Sequence, residues 1–190
     1  MRAIYDEEWE GRFLVHFFDY VPARFKYIFL PLESARQAIW DFKDGLHQSG
    51  VALHLAKLIK SQFGKSTKDI TLVCIPASTV EKTELRYKEF SKLVCAMSSV
   101  SNAYYHITTE GDRIAVHEQG RSKRLRSEQI ISFDEEYFFG RKVILFDDII
   151  TSGRSLHLFT SKLESMGAQV LGAYCMGKTL TKPSQPTHEN

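Results

Sequence analysis

The sequence predicts an α/β domain with a mostly parallel central sheet flanked by helices. Three short apolar runs, DITLVCIPAS, RKVILFDD and AQVLGAYCMG, have the continuous hydrophobicity of strands buried on both faces. Stretches of helical period stand between them, and nothing repeats along the chain. Strands alternating with helices specify a parallel sheet, in which ligands lie at the carboxyl ends of the strands.

Each element follows from its residues. The first thirty positions are dense in aromatics (Phe13, Phe17, Phe18, Tyr20, Phe25, Tyr27 and Phe29), and Pro22 interrupts them. Two short strands, or a strand and a loop, fit better than a helix there, and the rings suit a core or its cover better than a ligand box. Helical spacing then places Ala35, Ala38, Ile39, Phe42 and Leu46 on one face behind Ser34, a candidate N-cap. A second helix carries Val51, Leu55, Leu58, Ile59 and Phe63, and is expected to end near Gly64. After the first buried strand, helical period returns through Tyr87, Phe90, Val94 and Met97. AYYHITT reads as a strand, and GDRIAVHEQGRSKRLRSEQ as a long polar loop. Beyond the second buried strand, a helix starting near Leu156 aligns Leu156, Phe159, Leu163 and Met166 and stops at Gly167.

The 190 residues, 43% hydrophobic and 25% charged, suit one globular domain over 1–180. Within it, 1–34 would be an aromatic-rich hood or cover and 35–180 the core, with 181–190 a disordered tail. A net charge of +2 does not by itself call for nucleic acid. Cys74, Cys95 and Cys175 are odd in number, far apart and never in a CxxC arrangement, which argues against disulfides and a cysteine zinc site and suits a reducing cytoplasm. No run reaches the ~20 apolar residues of a membrane span. The acidic start MRAIYDEEWEGR lacks the apolar region of a signal peptide, so a cytosolic protein without a membrane partner is expected. His47 and His54 show no metal-ligand spacing.

VILFDDIITSGRS is the stretch that carries chemistry. A strand ending at Asp147 would pass through the turn Ile149–Ser155 into a helix, whose first backbone N–H groups attract anions. Gly153 lets the backbone approach a ligand, and Thr151, Ser152 and Ser155 add hydroxyl donors. Together these form a phosphate cradle. Asp147 and Asp148 repel phosphate and need hydroxyl donors or a cation, so a sugar diol beside the phosphate satisfies both halves. The pattern reads as a ribose 5-phosphate site.

At these residues the stretch resembles the 5-phosphoribosyl 1-pyrophosphate (PRPP) motif of type I phosphoribosyltransferases. Asp147, Asp148, Thr151, Ser152, Gly153 and Ser155 match it, and Arg154 stands at its variable position. From Ala35 to Lys178 the order of elements is similar to the ComF-like branch, associated with DNA uptake in bacteria. The pieces are FKDG near Lys43, IPAS at 75–78, then Arg86-Tyr87 and Phe90, and a basic loop before the motif. The cysteine zinc module often found in that branch has no counterpart here.

The resemblance implies further roles. A short loop after the first core strand would hold the pyrophosphate through backbone amides, often with a non-proline cis peptide, which makes Ala77 and Ser78 candidates. Pro-Ala-Ser is also the sequence of an ordinary strand exit, the less favoured of the two readings. The basic run Arg121, Lys123, Arg124 and Arg126 falls where the family closes a loop over the pyrophosphate; Arg124 and Arg126 are the chosen candidates, Arg124 as a catalytic cation. A solvated face or nucleic-acid contact would use the same residues. Lys43 and Arg86 are further pyrophosphate candidates.

Catalysis would be loss of pyrophosphate from C1 and attack by a nitrogen acceptor. Mg²⁺ would be bound mainly through PRPP, with Asp147 and Asp148 as possible ligands directly or through water. In hypoxanthine-guanine members the residue corresponding to Thr151 is an aspartate that handles a ring proton, which threonine cannot do, so a 6-oxopurine acceptor is disfavoured. A non-catalytic PRPP sensor or DNA-uptake accessory protein is the alternative, and a homodimer is expected by analogy. No GxGxxG or Walker GxxxxGK supports a generic nucleotide-binding domain.

Overall fold

The computed structural model describes residues 4–5, 9–25, 30–110 and 130–180. Its strands are β1 (Ile4–Tyr5), β2 (Phe13–Tyr20), β3 (Ile70–Cys74), β4 (Ser101–Asn102), β5 (Ile107–Glu110), β6 (Ile130–Phe133), β7 (Lys142–Ile150) and β8 (Gln169–Thr179). Six of them form the central sheet in the order β1-β2-β8-β7-β3-β4, and β5 pairs antiparallel with β6 in a separate ribbon. Every neighbouring pair in the central sheet is parallel except β1 with β2. The expected α/β architecture is therefore the one observed.

Two helical layers explain why the strands read as unbroken apolar runs. On one face, Ile144 and Phe146 of β7 pack with Ile39 and Phe42 of α1 (Leu30–Lys43), Leu55 and Ile59 of α2 (Gln48–Phe63), and Phe90 and Val94 of α4 (Glu89–Ser98). On the other face, Val143 and Leu145 pack with Phe138 of α5 (Glu135–Phe138) and with Leu156, Phe159 and Leu163 of α6 (Arg154–Ser165). Alternate residues of one strand thus enter different cores. Phe146 sits among the rings of Phe17, Phe42, Tyr87 and Phe90, with centroids 4.6–6.4 Å away.

Several boundaries differ from the sequence reading. The aromatic segment contributes β2 to the sheet layer itself, where Phe17 is buried and Phe13 faces Gly172 of β8. A side chain at Gly172 would place its Cβ 2.5 Å from the Phe13 carbonyl oxygen, so glycine is what lets these backbones approach. Ser34 lies inside α1 rather than capping it, because the helix begins at Leu30 with Pro31 in its first turn, a position that needs no N–H donor. Leu46 is exposed beyond the end of that helix, after Gly45 turns the chain at φ 78°. Tyr104–His106 forms a 3₁₀ turn ahead of β5, so only the second half of AYYHITT is a strand. The helix expected through Tyr87 and Phe90 is broken into α3 (Val80–Thr83), a π-turn over Glu84–Lys88, and α4.

Candidate functional site

β7 does not end at Asp147. Its ladder with β8 continues through Ile149 opposite Gly177 and Ile150 opposite Lys178, so both acids lie within the strand, near its carboxyl end. Strand alternation sends their side chains to opposite faces. Asp148 shares its face with Phe146 and is 7% exposed. Asp147 shares the α6 face and is half-buried.

Asp148 is held by cations from two elements. Arg86 Nη1 donates to Asp148 Oδ2 at 2.5 Å, and Lys43 Nζ stands 3.7 Å from the same oxygen. Arg86 Nε also donates to the Lys43 backbone carbonyl at 3.0 Å, tying the end of α1 to the π-turn. Lys43 and Arg86, both pyrophosphate candidates, are thus brought together on one carboxylate. The π-turn, with its extra residue per turn, carries Arg86 to this point, and such turns recur at functional sites. Sequence periodicity offers no signal for it.

Asp147 is in a different electrostatic state. Its Oδ1 accepts the Asp148 N–H at 2.8 Å. Burial, and secondly the charge of Asp148, push its pKa up to about 8; Lys43 and Arg86 act in the opposite direction. Burial thus favours the protonated form of Asp147. Adjacent acids with different protonation can present both a donor and acceptors to a diol.

After β7 the chain turns through Thr151–Gly153 into α6, two residues earlier than Leu156. Gly153 occupies the N-cap position at φ 72°, a conformation that costs an L side chain about 1–2 kcal/mol. Thr151, Ser152, Arg154 and Ser155 are exposed around it, and Ser152 Oγ accepts the Arg154 N–H at 3.5 Å. Asp147 and Ile149–Leu156 line a depression of about 40 Å³. That is room for a few waters or one compact oxyanion. Asp147 and the turn therefore meet in one concavity, whose lining does not include Asp148.

The loop after β3 is closed on itself. Ala77 is buried, and its N–H donates to Thr83 Oγ1 at 3.0 Å, while that hydroxyl donates to the Thr79 carbonyl at 2.8 Å. Thr79 caps α3 by accepting the Lys82 N–H. Every peptide bond among the described residues is trans, so the cis bond anticipated near Ala77 and Ser78 is not present there. The Thr83 clasp was missed in the sequence, although Thr79 ahead of Glu81 is a recognisable helix start. Arg121, Lys123, Arg124 and Arg126 lie outside the described residues, between the paired ends Glu110 and Ile130. Among the described residues no group of three or more potential ligands surrounds a metal position, and no helix is long and apolar enough to cross a membrane.

No curated protein matches the chain. Among solved structures, it is similar to a hypoxanthine-guanine phosphoribosyltransferase from Bacillus anthracis (13% identity, 73% of each chain, TM-score 0.40). It is also similar to a purine phosphoribosyltransferase from Pyrococcus horikoshii (11% identity, 75% of this chain and 93% of that one, TM-score 0.38). A hypoxanthine-guanine-xanthine phosphoribosyltransferase aligns at 11% identity over 78% of this chain and 86% of that one, with TM-score 0.37. These three likenesses are too distant to carry a substrate. The model of the phosphoribosyl transferase domain matches residues 44–188, well over half of the sequence, and the chain belongs to that family.

Proposed function

We propose that the protein is a Mg²⁺-dependent phosphoribosyltransferase that uses PRPP and a nitrogen acceptor. The observation that carries this reading is the shared concavity of Asp147 with the Thr151–Ser155 turn at the start of α6. Asp147 and Asp148 would bind the ribose hydroxyls, Asp147 with a proton to donate. Thr151, Ser152, Ser155 and the amides after Gly153 would bind the 5-phosphate. Fixing sugar and phosphate together removes orientational freedom before the C1 bond breaks. Lys43 and Arg86 would steady Asp148, and Ala77, Ser78, Arg124 and Arg126 are the proposed pyrophosphate contacts.

The donor set fits Mg²⁺ held mainly by substrate. Asp148 Oδ1 accepts no hydrogen bond from the described residues, which leaves one carboxylate oxygen for a hard cation, and Asp147 Oδ2 would join it only on giving up its proton. When bound, Mg²⁺ would supply charge neutralisation to the pyrophosphate leaving group. Thr151 argues against a 6-oxopurine acceptor, since it cannot move a ring proton. The element order favours placement near the ComF-like branch, and the scattered cysteines favour a cytoplasmic setting; a homodimer is proposed by analogy, and nucleic acid is possible but not favoured.

A second reading has its own support. Asp148 is already neutralised by Arg86 and Lys43, and the Ala77 amide is engaged by Thr83. Both features suit a protein that binds PRPP as a sensor without breaking it. Phosphorus NMR of PRPP with Mg²⁺, the protein and a panel of nitrogen heterocycles decides between them. Release of pyrophosphate that needs an acceptor supports transfer; intact PRPP with line broadening supports sensing; an unperturbed spectrum rejects both.

A further inference from the structure

A cavity of about 220 Å³ lies at the carboxyl ends of β3 and β4, beneath the start of α4 and beside β5. Cys74, Tyr87, Ser91, Asn102, Tyr104 and Thr108 are among its walls, and it shares no lining residue with the depression around the Thr151–Ser155 turn. None of its lining residues among the described ones carries a charge. Burial pushes the Cys74 thiol up, and Cys95 and Asp147 add to this, so no thiolate forms. Burial likewise raises the phenols of Tyr87 and Tyr104. The nearby Glu84 is paired with Lys88.

Polar groups interrupt these apolar walls at fixed points. Asn102 Nδ2 donates to Ser91 Oγ at 3.1 Å, and Asn102 Oδ1 accepts the Tyr104 N–H at 2.9 Å, which locks the amide and orients the Tyr104 backbone. Tyr104 meets the exposed Tyr105 ring edge-on, with centroids 5.0 Å apart. Tyr87 is 1% exposed, lines the cavity, and its hydroxyl has no hydrogen-bond partner among the described residues. An unpartnered donor in an uncharged, aromatic-walled cavity is the complement of a neutral ring with a polar edge. The volume is below the usual range for drug-sized pockets, which limits the guest to one ring or a fused pair.

We propose that this cavity binds an uncharged planar heteroaromatic ring at a site separate from the acid pair, and that the Ile75–Ser78 loop responds to its occupancy through Thr83. Thr83 lines the cavity and at the same time clasps the Ala77 N–H and the Thr79 carbonyl. A ring that draws on its hydroxyl loosens the loop proposed to meet pyrophosphate. The binding assignment stands without the transferase reading; the coupling rests on it.

The test is calorimetric titration with adenine and uracil, and with orotate as an anionic control. It uses the wild type, Tyr87→Phe and Thr83→Val, each with and without PRPP and Mg²⁺. At least one neutral ring should bind, orotate should bind at least about tenfold more weakly, and Tyr87→Phe should weaken the ring about tenfold. In the wild type, ring and PRPP should change each other's affinity by the same factor, and Thr83→Val should remove that factor. No binding of either neutral ring, equal binding of orotate, or an unchanged affinity in Tyr87→Phe would overturn the site. Independent titration of ring and PRPP would overturn the coupling. Ring binding by a protein blind to PRPP would uphold the cavity and reject both the coupling and the proposed function. Conversion of the ring to a phosphoribosyl product would make the cavity the acceptor pocket and overturn its separateness.

Discussion

Asp147 and Asp148 are chemically identical neighbours that the fold places in different states. Asp148 is ion-paired on the α1 face, whereas Asp147 is raised by burial and by its neighbour. The raised pKa sets the sign of a pH effect. Between the unfolded value near 4 and the folded value of about 8, the folded protein holds the Asp147 proton more tightly. Its stabilising contribution is complete below that window and is lost as pH rises through it. Asp147→Asn should therefore be more stable than wild type at about pH 8.5, by on the order of 1–2 kcal/mol after allowance for partial exposure, with little difference near pH 4. Urea melts at the two pH values check this. Arg86→Met should destabilise by about 3 kcal/mol, since it leaves a buried carboxylate with only the Lys43 ammonium at 3.7 Å and without its hydrogen-bonded partner. Adding Asp148→Asn to Arg86→Met should recover much of that loss. A double-mutant cycle that instead gave additive losses would reject the pairing as the cause.

The helix and strand ends show where local sequence suffices and where it does not. Gly153→Ala should lower stability by about 1–2 kcal/mol through backbone strain alone, because nothing stands within 4 Å of the added Cβ. Gly172→Ala meets the Phe13 backbone, which cannot yield as a flexible side chain does. It should lower the denaturation midpoint more than Gly153→Ala in parallel melts. The buried strands, the placing of the acid pair near a strand end and the glycine turn after it were legible because each depends on contiguous residues: apolar runs, a glycine at positive φ, hydroxyls beside it. The π-turn was not legible, since one extra residue in a helix leaves Tyr87, Phe90 and Val94 close to helical spacing. Nor was the destination of Arg86 and Lys43, 43 positions apart in sequence, whose meeting on Asp148 is a product of tertiary packing. β2 was recognised as aromatic and extended, but its parallel place beside β8 depends on Gly172, far along the chain.

At the scale of the whole molecule, a parallel sheet brings the ends of β3 and β7 together, with the acid pair on one and the Ala77 loop after the other. The proposed function at this scale is the joint use of those two ends on one ligand. A thermal-shift titration with PRPP and Mg²⁺, run on the wild type and on Asp148→Asn, tests that claim most directly. Ligand at 100 times its dissociation constant adds about 2.7 kcal/mol, or roughly 5–10 °C in a chain of this size. The wild type should shift by that amount, and Asp148→Asn should lose most of it while remaining folded. A folded wild type that shows no shift, or an Asp148→Asn protein that shifts as fully, would contradict the assignment of the acid pair to the sugar.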